Sequence, residues 1–213
     1  MSSQEQTRLN IKILLVGDAR TGKESRESLM RRFTENVFDP AHRDVGCTMR
    51  PLDIEGKHIN AQIFTRPTWL VHPTPAIALI KPSFLSVGRF HVPSLYYYTS
   101  SVCIVYDVCQ RHTFSQIEDR WLGEISRVQA EYLPPSPIPM RLYLVGNKTD
   151  REAEREVSTE EGAALAARCN MVFAETSALD GSGVEDLFMT VFTQICHDVD
   201  STTRSEGWGC HIQ

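Results

Sequence analysis

The residues Leu142-Tyr143-Leu144-Val145-Gly146-Asn147-Lys148-Thr149-Asp150 form an apolar run that passes directly into a polar turn. A continuous apolar run of this length is typical of a strand buried on both faces, as in parallel sheets. Similar runs occur at residues 11–16, 101–108 and 171–174. The chain therefore alternates between buried strands and the segments that separate them.

Those separating segments carry helical patterns. Residues 114–128 place apolar side chains three and four residues apart, residues 163–169 follow the capping box Ser158-Thr159-Glu160-Glu161, and residues 184–199 form a third amphipathic pattern. The alternation predicts an α/β fold with a doubly wound, mostly parallel sheet. Residues 54–64 instead predict a hairpin that turns at Glu55-Gly56, which adds one antiparallel strand.

The composition excludes several classes of protein. The chain has 213 residues, of which 41% are hydrophobic, and a formal net charge of −5. This length favours one buried core, and the absence of a basic stripe excludes nucleic acid as an expected partner. No apolar run reaches the roughly 20 residues needed to span a bilayer, and the polar first residues are not typical of a secretory signal. We expect a cytosolic protein with reduced cysteines.

The chain divides into three parts and one atypical segment. Residues 1–10 are expected to be a flexible N-terminus, residues 11–199 the folded domain, and residues 200–213 a flexible polar tail. Within the domain, residues 65–88 hold Pro67, Pro73, Pro75 and Pro82 among apolar residues without helical or strand periodicity. This segment is predicted to be a loop or an insertion.

A glycine-rich turn follows the first strand. Gly17-Asp18-Ala19-Arg20-Thr21-Gly22-Lys23 fits Gly-x4-Gly-Lys, whose backbone N–H groups surround phosphate oxygens while the lysine places a cation on the outer phosphates. The alternative is an ordinary glycine-rich turn. A Mg²⁺-binding Ser or Thr is expected after the lysine, but Glu24 stands there, followed by Ser25. The candidate phosphate-binding residues are Gly17, Asp18, Ala19, Arg20, Thr21, Gly22, Lys23, Glu24 and Ser25.

The polar turn Asn147-Lys148-Thr149-Asp150 predicts a guanine site. An aspartate such as Asp150 can accept hydrogen bonds from two N–H donors of guanine, an arrangement that adenine does not satisfy, and the stem of Lys148 can cover the ring. A second motif, Glu175-Thr176-Ser177-Ala178, follows another strand. The alternative is a polar turn without a ligand. The candidate guanine-binding residues are Asn147, Lys148, Asp150, Ser177 and Ala178.

With these motifs in order, the sequence resembles the Ras-superfamily small GTPases, and most of all their Rab branch. The resemblance covers about residues 11–199 except 65–88, and includes Val105-Tyr106-Asp107-Val108 and Arg120-Trp121-Leu122. It implies the P-loop GTPase fold, bound GTP or GDP with Mg²⁺, and effector and exchange proteins as partners in vesicle traffic. It also implies a place in the cytosol or on the cytoplasmic face of an endomembrane.

The sequence departs from this family at the metal and γ-phosphate end. Asp44-Val45-Gly46 stands where the family has Thr-Ile-Gly, and three extra residues lie between Lys23 and Leu29. After Phe64 the family's Asp-Thr-Ala-Gly-Gln-Glu is missing, and the pattern resumes only at Arg89-Phe90. A natural insertion and a translated intron or reading-frame slip both explain this break. The catalytic and metal-binding residues are therefore left unassigned.

Three hypotheses follow. The first is a Rab-like GTPase with impaired hydrolysis, the second is a pseudo-GTPase that binds without cycling, and the third is a P-loop kinase or ATPase, which does not predict Asn147 to Asp150. The chain ends in Cys210-His211-Ile212-Gln213, which has the length of a prenylation box. Cys210 is either a site of peripheral membrane attachment through a prenyl group or an incidental cysteine.

Overall fold

The fold is built on one central sheet. A computed structural model describes residues 9–18, 25–39, 46–66 and 95–206, apart from the side chains of Ser25 and residues 204–206. The described strands are β1 (Leu9–Val16), β2 (Cys47–Ile54), β3 (Lys57–Thr65), β4 (Thr99–Asp107), β5 (Arg141–Asn147) and β6 (Val172–Thr176). They form a six-stranded sheet in the order β2-β3-β1-β4-β5-β6.

The strand directions confirm the predicted fold class. Strand β1 pairs in parallel with β3 on one side and β4 on the other, and β5 and β6 continue the parallel arrangement. Strand β2 runs antiparallel to β3, and Glu55 and Gly56 form their turn with positive φ angles of 50° and 80°. The sheet is therefore mostly parallel with one antiparallel hairpin strand.

Helices cover both faces of the sheet. Two separate apolar clusters result, one containing Ile13 with Phe33 and Phe188, and the other containing Leu14 with Trp121. Successive residues of β1 thus enter opposite clusters, which explains why the strand is apolar without alternation. The helices are α1 (Ser25–Glu35), α2 (Arg111–Gln116), a π-helical segment (Ile117–Leu122), α3 (Gly123–Tyr132), a 3₁₀ segment (Thr149–Glu154), α4 (Thr159–Arg168) and α5 (Val184–Glu206).

The helix ends differ from the sequence boundaries in two places. The pattern at residues 114–128 falls on three consecutive helical pieces rather than on one regular helix, because a π-helical segment separates α2 from α3. Helix α5 continues to Glu206, beyond the predicted start of the tail at residue 200. The hydroxyls of Thr202 and Thr203 each donate to the carbonyl four residues earlier, which accommodates these polar residues in the helix.

Several predicted features lie outside the described residues. These are residues 19–24 of the glycine-rich turn, Asp44, residues 67–88 of the atypical segment, and Cys210. Within the part of the chain that the structure describes, no helix is long and apolar enough to cross a membrane.

Candidate functional site

Three neighbouring strands end in buried polar residues. Asp107 at the end of β4 lies beside Asn147 at the end of β5, and Asn147 lies beside Thr176 at the end of β6. All three side chains are almost fully buried. Because ligands of doubly wound sheets bind beyond the carboxyl ends of the strands, this row marks one end of a candidate site, here called the base end.

Asn147 joins the end of β5 to the loop after β6. Its Oδ1 accepts a hydrogen bond from the backbone N–H of Ala178 at 3.2 Å and another from the hydroxyl of Thr176 at 3.3 Å. Both the side chain and its partners are buried. The amide of Asn147 is therefore held in a fixed orientation by two separate donors.

Asp150 presents a fixed carboxylate at the surface. The residue is exposed, whereas Ser177 beside it is fully buried. The Ser177 hydroxyl donates to Asp150 Oδ1 at 2.6 Å and accepts from the backbone N–H of Asp180 at 3.3 Å. An exposed carboxylate normally rotates freely, so this contact orients it in advance of any ligand.

Lys148 is fixed by a residue that the motif analysis left without a role. Its backbone is left-handed, with φ 74°, and its Nζ donates to Asp107 Oδ2 at 2.6 Å. The other oxygen of the fully buried Asp107 accepts the backbone N–H of Cys109 at 2.9 Å. A lone acidic residue at the end of the apolar run Val102 to Tyr106 is the sequence signal for this partner.

The loop after β6 is shaped by close backbone packing. A Cβ at Gly183, where φ is +67°, would lie 2.3 Å from the carbonyl oxygen of Glu175. Arg155 donates to the Glu175 carboxylate at 2.7 Å, and Thr159 donates to it at 3.0 Å. Burial, together with Glu175, raises the pKa of the nearby Tyr106 hydroxyl. The backbone and the glutamate of the second motif are therefore held by close packing and by side-chain hydrogen bonds.

A second region, here called the phosphate end, lies at the carboxyl end of β1. Gly17 has φ +153°, and a Cβ there would lie 2.2 Å from the carbonyl oxygen of Val105 on the neighbouring strand. Only glycine fits this close approach. The buried Arg26, in the first turn of α1, donates from Nη1 to the Gly17 carbonyl at 3.0 Å. Burial lowers the pKa of this guanidinium.

The end of β3 carries a second buried arginine. Arg66 Nη1 contacts both oxygens of Glu124 on α3, at 2.5 and 2.6 Å, and the hydroxyl of Tyr96 donates to the same carboxylate at 2.9 Å. The guanidinium also lies 5.2 Å from the ring centroid of Trp121. The preceding residue, Thr65, is buried and donates its backbone N–H to the Gly46 carbonyl. The strand end is thus held by an ion pair.

Helix α1 connects the two regions. From its last turn, Arg32 donates to the carbonyl of Ala178 at 2.9 Å and to that of Leu179 at 2.6 Å. Both acceptors belong to the loop after β6. The helix that begins at the phosphate end therefore supports the loop that closes the base end.

The family resemblance implies a divalent cation at the phosphate end, and residues 19–24 of its motif lie outside the described part. In that part of the chain, no three His, Cys, Asp or Glu side chains come together as a metal site. Thr65 stands at the strand end where the resemblance requires a metal-linked aspartate, and the Arg66 guanidinium follows it. The described residues at this strand end are therefore a hydroxyl and a guanidinium that is paired with Glu124.

Comparison with known proteins gives the family. A model of the Ras family matches residues 89–197, starting directly after the atypical segment. Rab-11A of Dictyostelium discoideum is 32% identical over 96% of this chain and 85% of its own length. RABA5a of Arabidopsis thaliana is 35% identical over 86% and 72%, and the GTP-binding protein ypt3 of Schizosaccharomyces pombe is 32% identical over 97% and 86%.

The chain belongs to the Ras family. Its relatives place it on the Rab-like branch of the small GTPases, as the sequence motifs predicted. In this Rab-like chain the structure brings together all the predicted base-end residues, namely Asn147, Lys148, Asp150, Ser177 and Ala178. At the phosphate end it describes Gly17, Asp18 and the backbone of Ser25, while residues 19–24 lie outside the described part. Motif reasoning did not assign Asp107, Arg26 or Arg66.

Proposed function

We propose that this Rab-like chain binds GDP and GTP, and that the base end selects guanine. The observation that carries the proposal is the exposed carboxylate of Asp150, held by the buried Ser177 hydroxyl next to the fixed amide of Asn147. A carboxylate oriented before binding loses little conformational freedom when the ligand arrives. Two parallel N–H donors on guanine match it.

Discrimination against adenine follows from the same chemistry. Adenine does not offer two adjacent N–H donors at its edge, so the Asp150 carboxylate would gain no hydrogen bond from the base and would keep only the one from Ser177. A site built around such a hydrogen bond rejects the wrong ligand by about 10⁴-fold. The Lys148 stem, fixed through Asp107, would cover the ring, and the N–H of Ala178 already faces this side of the site.

Slow hydrolysis is the second part of the proposal. Orientation of water and stabilisation of charge are most of what a protein contributes to phosphoryl transfer. Thr65 and Arg66 occupy the positions after Phe64, and the water-orienting glutamine of the family is missing from the sequence. We therefore expect GTP hydrolysis at about 10⁻⁴ per second or slower.

A pseudo-GTPase is the second candidate function. The buried pair between Arg66 and Glu124 favours it, because a switch segment has to detach and reorder when the γ-phosphate is lost. An ion pair fixed at Arg66, the second residue of the atypical segment, opposes such movement. In this alternative the chain binds GDP and acts as a module that does not cycle.

In the cell, we propose that the chain regulates vesicle trafficking through effector and exchange proteins at the cytoplasmic face of an endomembrane. The Rab relatives support this role. The division into a domain at residues 11–199 with short flanking segments, and a prenyl group on Cys210, remain predictions from the sequence.

The binding proposal can be tested by denaturing the purified chain and identifying the released nucleotide by chromatography. We expect GDP or GTP, and competition by GDP but not ADP for a fluorescent GDP probe. No released nucleotide together with no binding of added GDP or Mg²⁺·GTP would refute it. Single-turnover hydrolysis of bound GTP then separates a slow GTPase from a module that does not hydrolyse.

A further inference from the structure

Arg32 joins the end of helix α1 to the loop after β6. Its Nε and Nη2 donate to the carbonyls of Ala178 and Leu179, at 2.9 and 2.6 Å. Its Nη1 donates to the carbonyl and to the side-chain oxygen of Asn36, both at 3.2 Å. All three nitrogens of the guanidinium are therefore engaged, and two of them hold the loop.

The two backbone polar groups of Ala178 are held from opposite sides. Its N–H donates to Asn147 Oδ1 on the sheet at 3.2 Å, while its carbonyl accepts from Arg32 on the helix. Ala178 is buried, but Leu179 is 52% exposed, so burial alone does not fix the next part of the loop. The hydrogen bonds from Arg32 to both carbonyls restrict the rotation of the peptide that joins these two residues.

The rest of the loop packs against the stem of the same arginine. A Cβ at Gly181, where φ is +88°, would lie 3.5 Å from Cδ of Arg32. The Gly181 N–H donates to the carbonyl of Ser177 at 2.9 Å, and the Ser177 hydroxyl donates to the Asp150 carboxylate at 2.6 Å. Arg32 is therefore connected, through this loop, to the carboxylate that is proposed to bind guanine.

The simpler alternative is that Arg32 only caps α1, since a basic side chain in the last turn of a helix can donate to the last carbonyls. The contact with Asn36 fits that role. The contacts with the loop do not, because their acceptors lie 146 and 147 positions away along the chain. The arginine thus serves the helix end and the base-end loop at once.

We propose that Arg32 is a positioning residue for guanine recognition. It acts through the loop rather than on the ligand, because it fixes the Ala178 peptide and, through Ser177, the orientation of the Asp150 carboxylate. The inference rests on the proposed function and adds a residue that neither base-end motif contains. A loop that is ordered before binding loses less conformational freedom when the base arrives. Loss of the arginine should therefore weaken every ligand that carries guanine, with or without phosphate.

The test compares GDP with guanosine on the full chain, by competition with a fluorescent GDP probe. In Arg32→Gln we expect both ligands to bind about tenfold more weakly, as for the net loss of one hydrogen bond. Arg32→Lys keeps the charge without the planar fork and should recover part of the loss. Hydrogen exchange of the ligand-free chain is the second measurement. In Arg32→Gln it should become faster at residues 177–183 and stay unchanged in β5, which a general loss of stability would not produce.

Arg31→Gln is the matched control, because Arg31 lies on the same helix and pairs with Glu35 and Asp39 instead. Three results in Arg32→Gln would overturn the inference: unchanged binding, a loss confined to GDP, or a loss without faster exchange confined to the loop. If Arg32→Gln does not fold, Arg32→Lys decides. Weaker binding of both ligands with faster exchange in the loop then supports the inference, and wild-type behaviour overturns it. A wild-type chain that binds neither ligand refutes the proposed function itself, and the inference with it.

Discussion

The base end and the phosphate end of this Rab-like chain differ in the side chains that hold them together. At the base end, carboxylate and amide oxygens of Asp107, Asn147 and Asp150 accept hydrogen bonds from hydroxyl, ammonium and backbone donors. At the phosphate end, the guanidinium groups of Arg26 and Arg66 are the buried charges around Gly17. Within the described residues, one region is therefore organised around acceptor side chains and the other around donor side chains.

The two ends of the proposed nucleotide site depart from the family pattern to different degrees. At the base end, hydrogen bonds join Asn147 to Ala178, Asp150 to Ser177, and Lys148 to Asp107. The phosphate end replaces the expected acidic strand end with Thr65 and an arginine ion pair. This contrast is the basis of our proposal that the chain recognises guanine but hydrolyses GTP slowly.

The largest expected effect comes from removing the acceptor at the base end. Asp150→Ala should reduce the preference for GDP over ADP by about 10⁴-fold, because the two guanine N–H donors lose their partner. Competition binding with a fluorescent GDP probe measures the ratio. Glu152→Ala is the control, since Glu152 lies in the same turn but pairs with Arg155. A retained preference for GDP would show that the base is read elsewhere.

The second prediction breaks the phosphate end without touching the base end. Glu124→Ala leaves the 3%-exposed Arg66 side chain without its carboxylate and Tyr96 without its acceptor. Breaking a buried ion pair from one side costs about 3 kcal/mol in the free energy of unfolding. Urea denaturation measures it, with the exposed Glu131→Ala on the same helix as control. Equal free energies of unfolding for the two variants would show that the ion pair does not stabilise this region.

The sequence predicts the base end well because its information is local. The strand β5 and the turn at Asn147 to Asp150 are contiguous, and the buried strand is visible as an apolar run. The contact from Ser177 spans 27 positions, yet it follows once two parallel strands are placed side by side, since their carboxyl ends meet. Parallel pairing thus converts two short motifs into one site.

The phosphate end is less predictable for the opposite reason. Arg66 meets Glu124 across 58 positions and between a strand end and a helix, and no periodic pattern marks such a pair. Arg26 contacts the Gly17 carbonyl from the first turn of α1. The motif spacing does not indicate this contact, because the motif ends at Lys23. The role of Asp107 was missed because a buried charge is explained only when its partner, Lys148, is seen.

The third prediction asks how far Asp107 positions the base-end lysine. Asp107→Asn keeps an oxygen for the Cys109 N–H but removes the charge that holds Lys148. We expect GDP binding to weaken about tenfold, as for a coupling of roughly 1.4 kcal/mol. In a Lys148→Met background the same change should have no further effect on GDP binding, as measured by calorimetry. Additive losses in this double-mutant cycle would make Asp107 a structural residue alone.

The smallest expected effect is on the free energy of unfolding at low pH, because acid protonates carboxylates and leaves guanidinium groups charged. Arg111 and the capping-box N–H of Ser158 lower the pKa of Glu161 to about 2, from a usual value of 4.5. A carboxyl whose folded pKa is lowered stabilises the fold above its unfolded pKa and loses that contribution as the pH falls toward the folded value. Glu161→Gln should therefore flatten the decline in stability between pH 4.5 and 2, measured by urea denaturation at successive pH values. Glu131→Gln should follow the wild type, and an equally steep decline in Glu161→Gln would show that the acid sensitivity does not come from the capping box of α4.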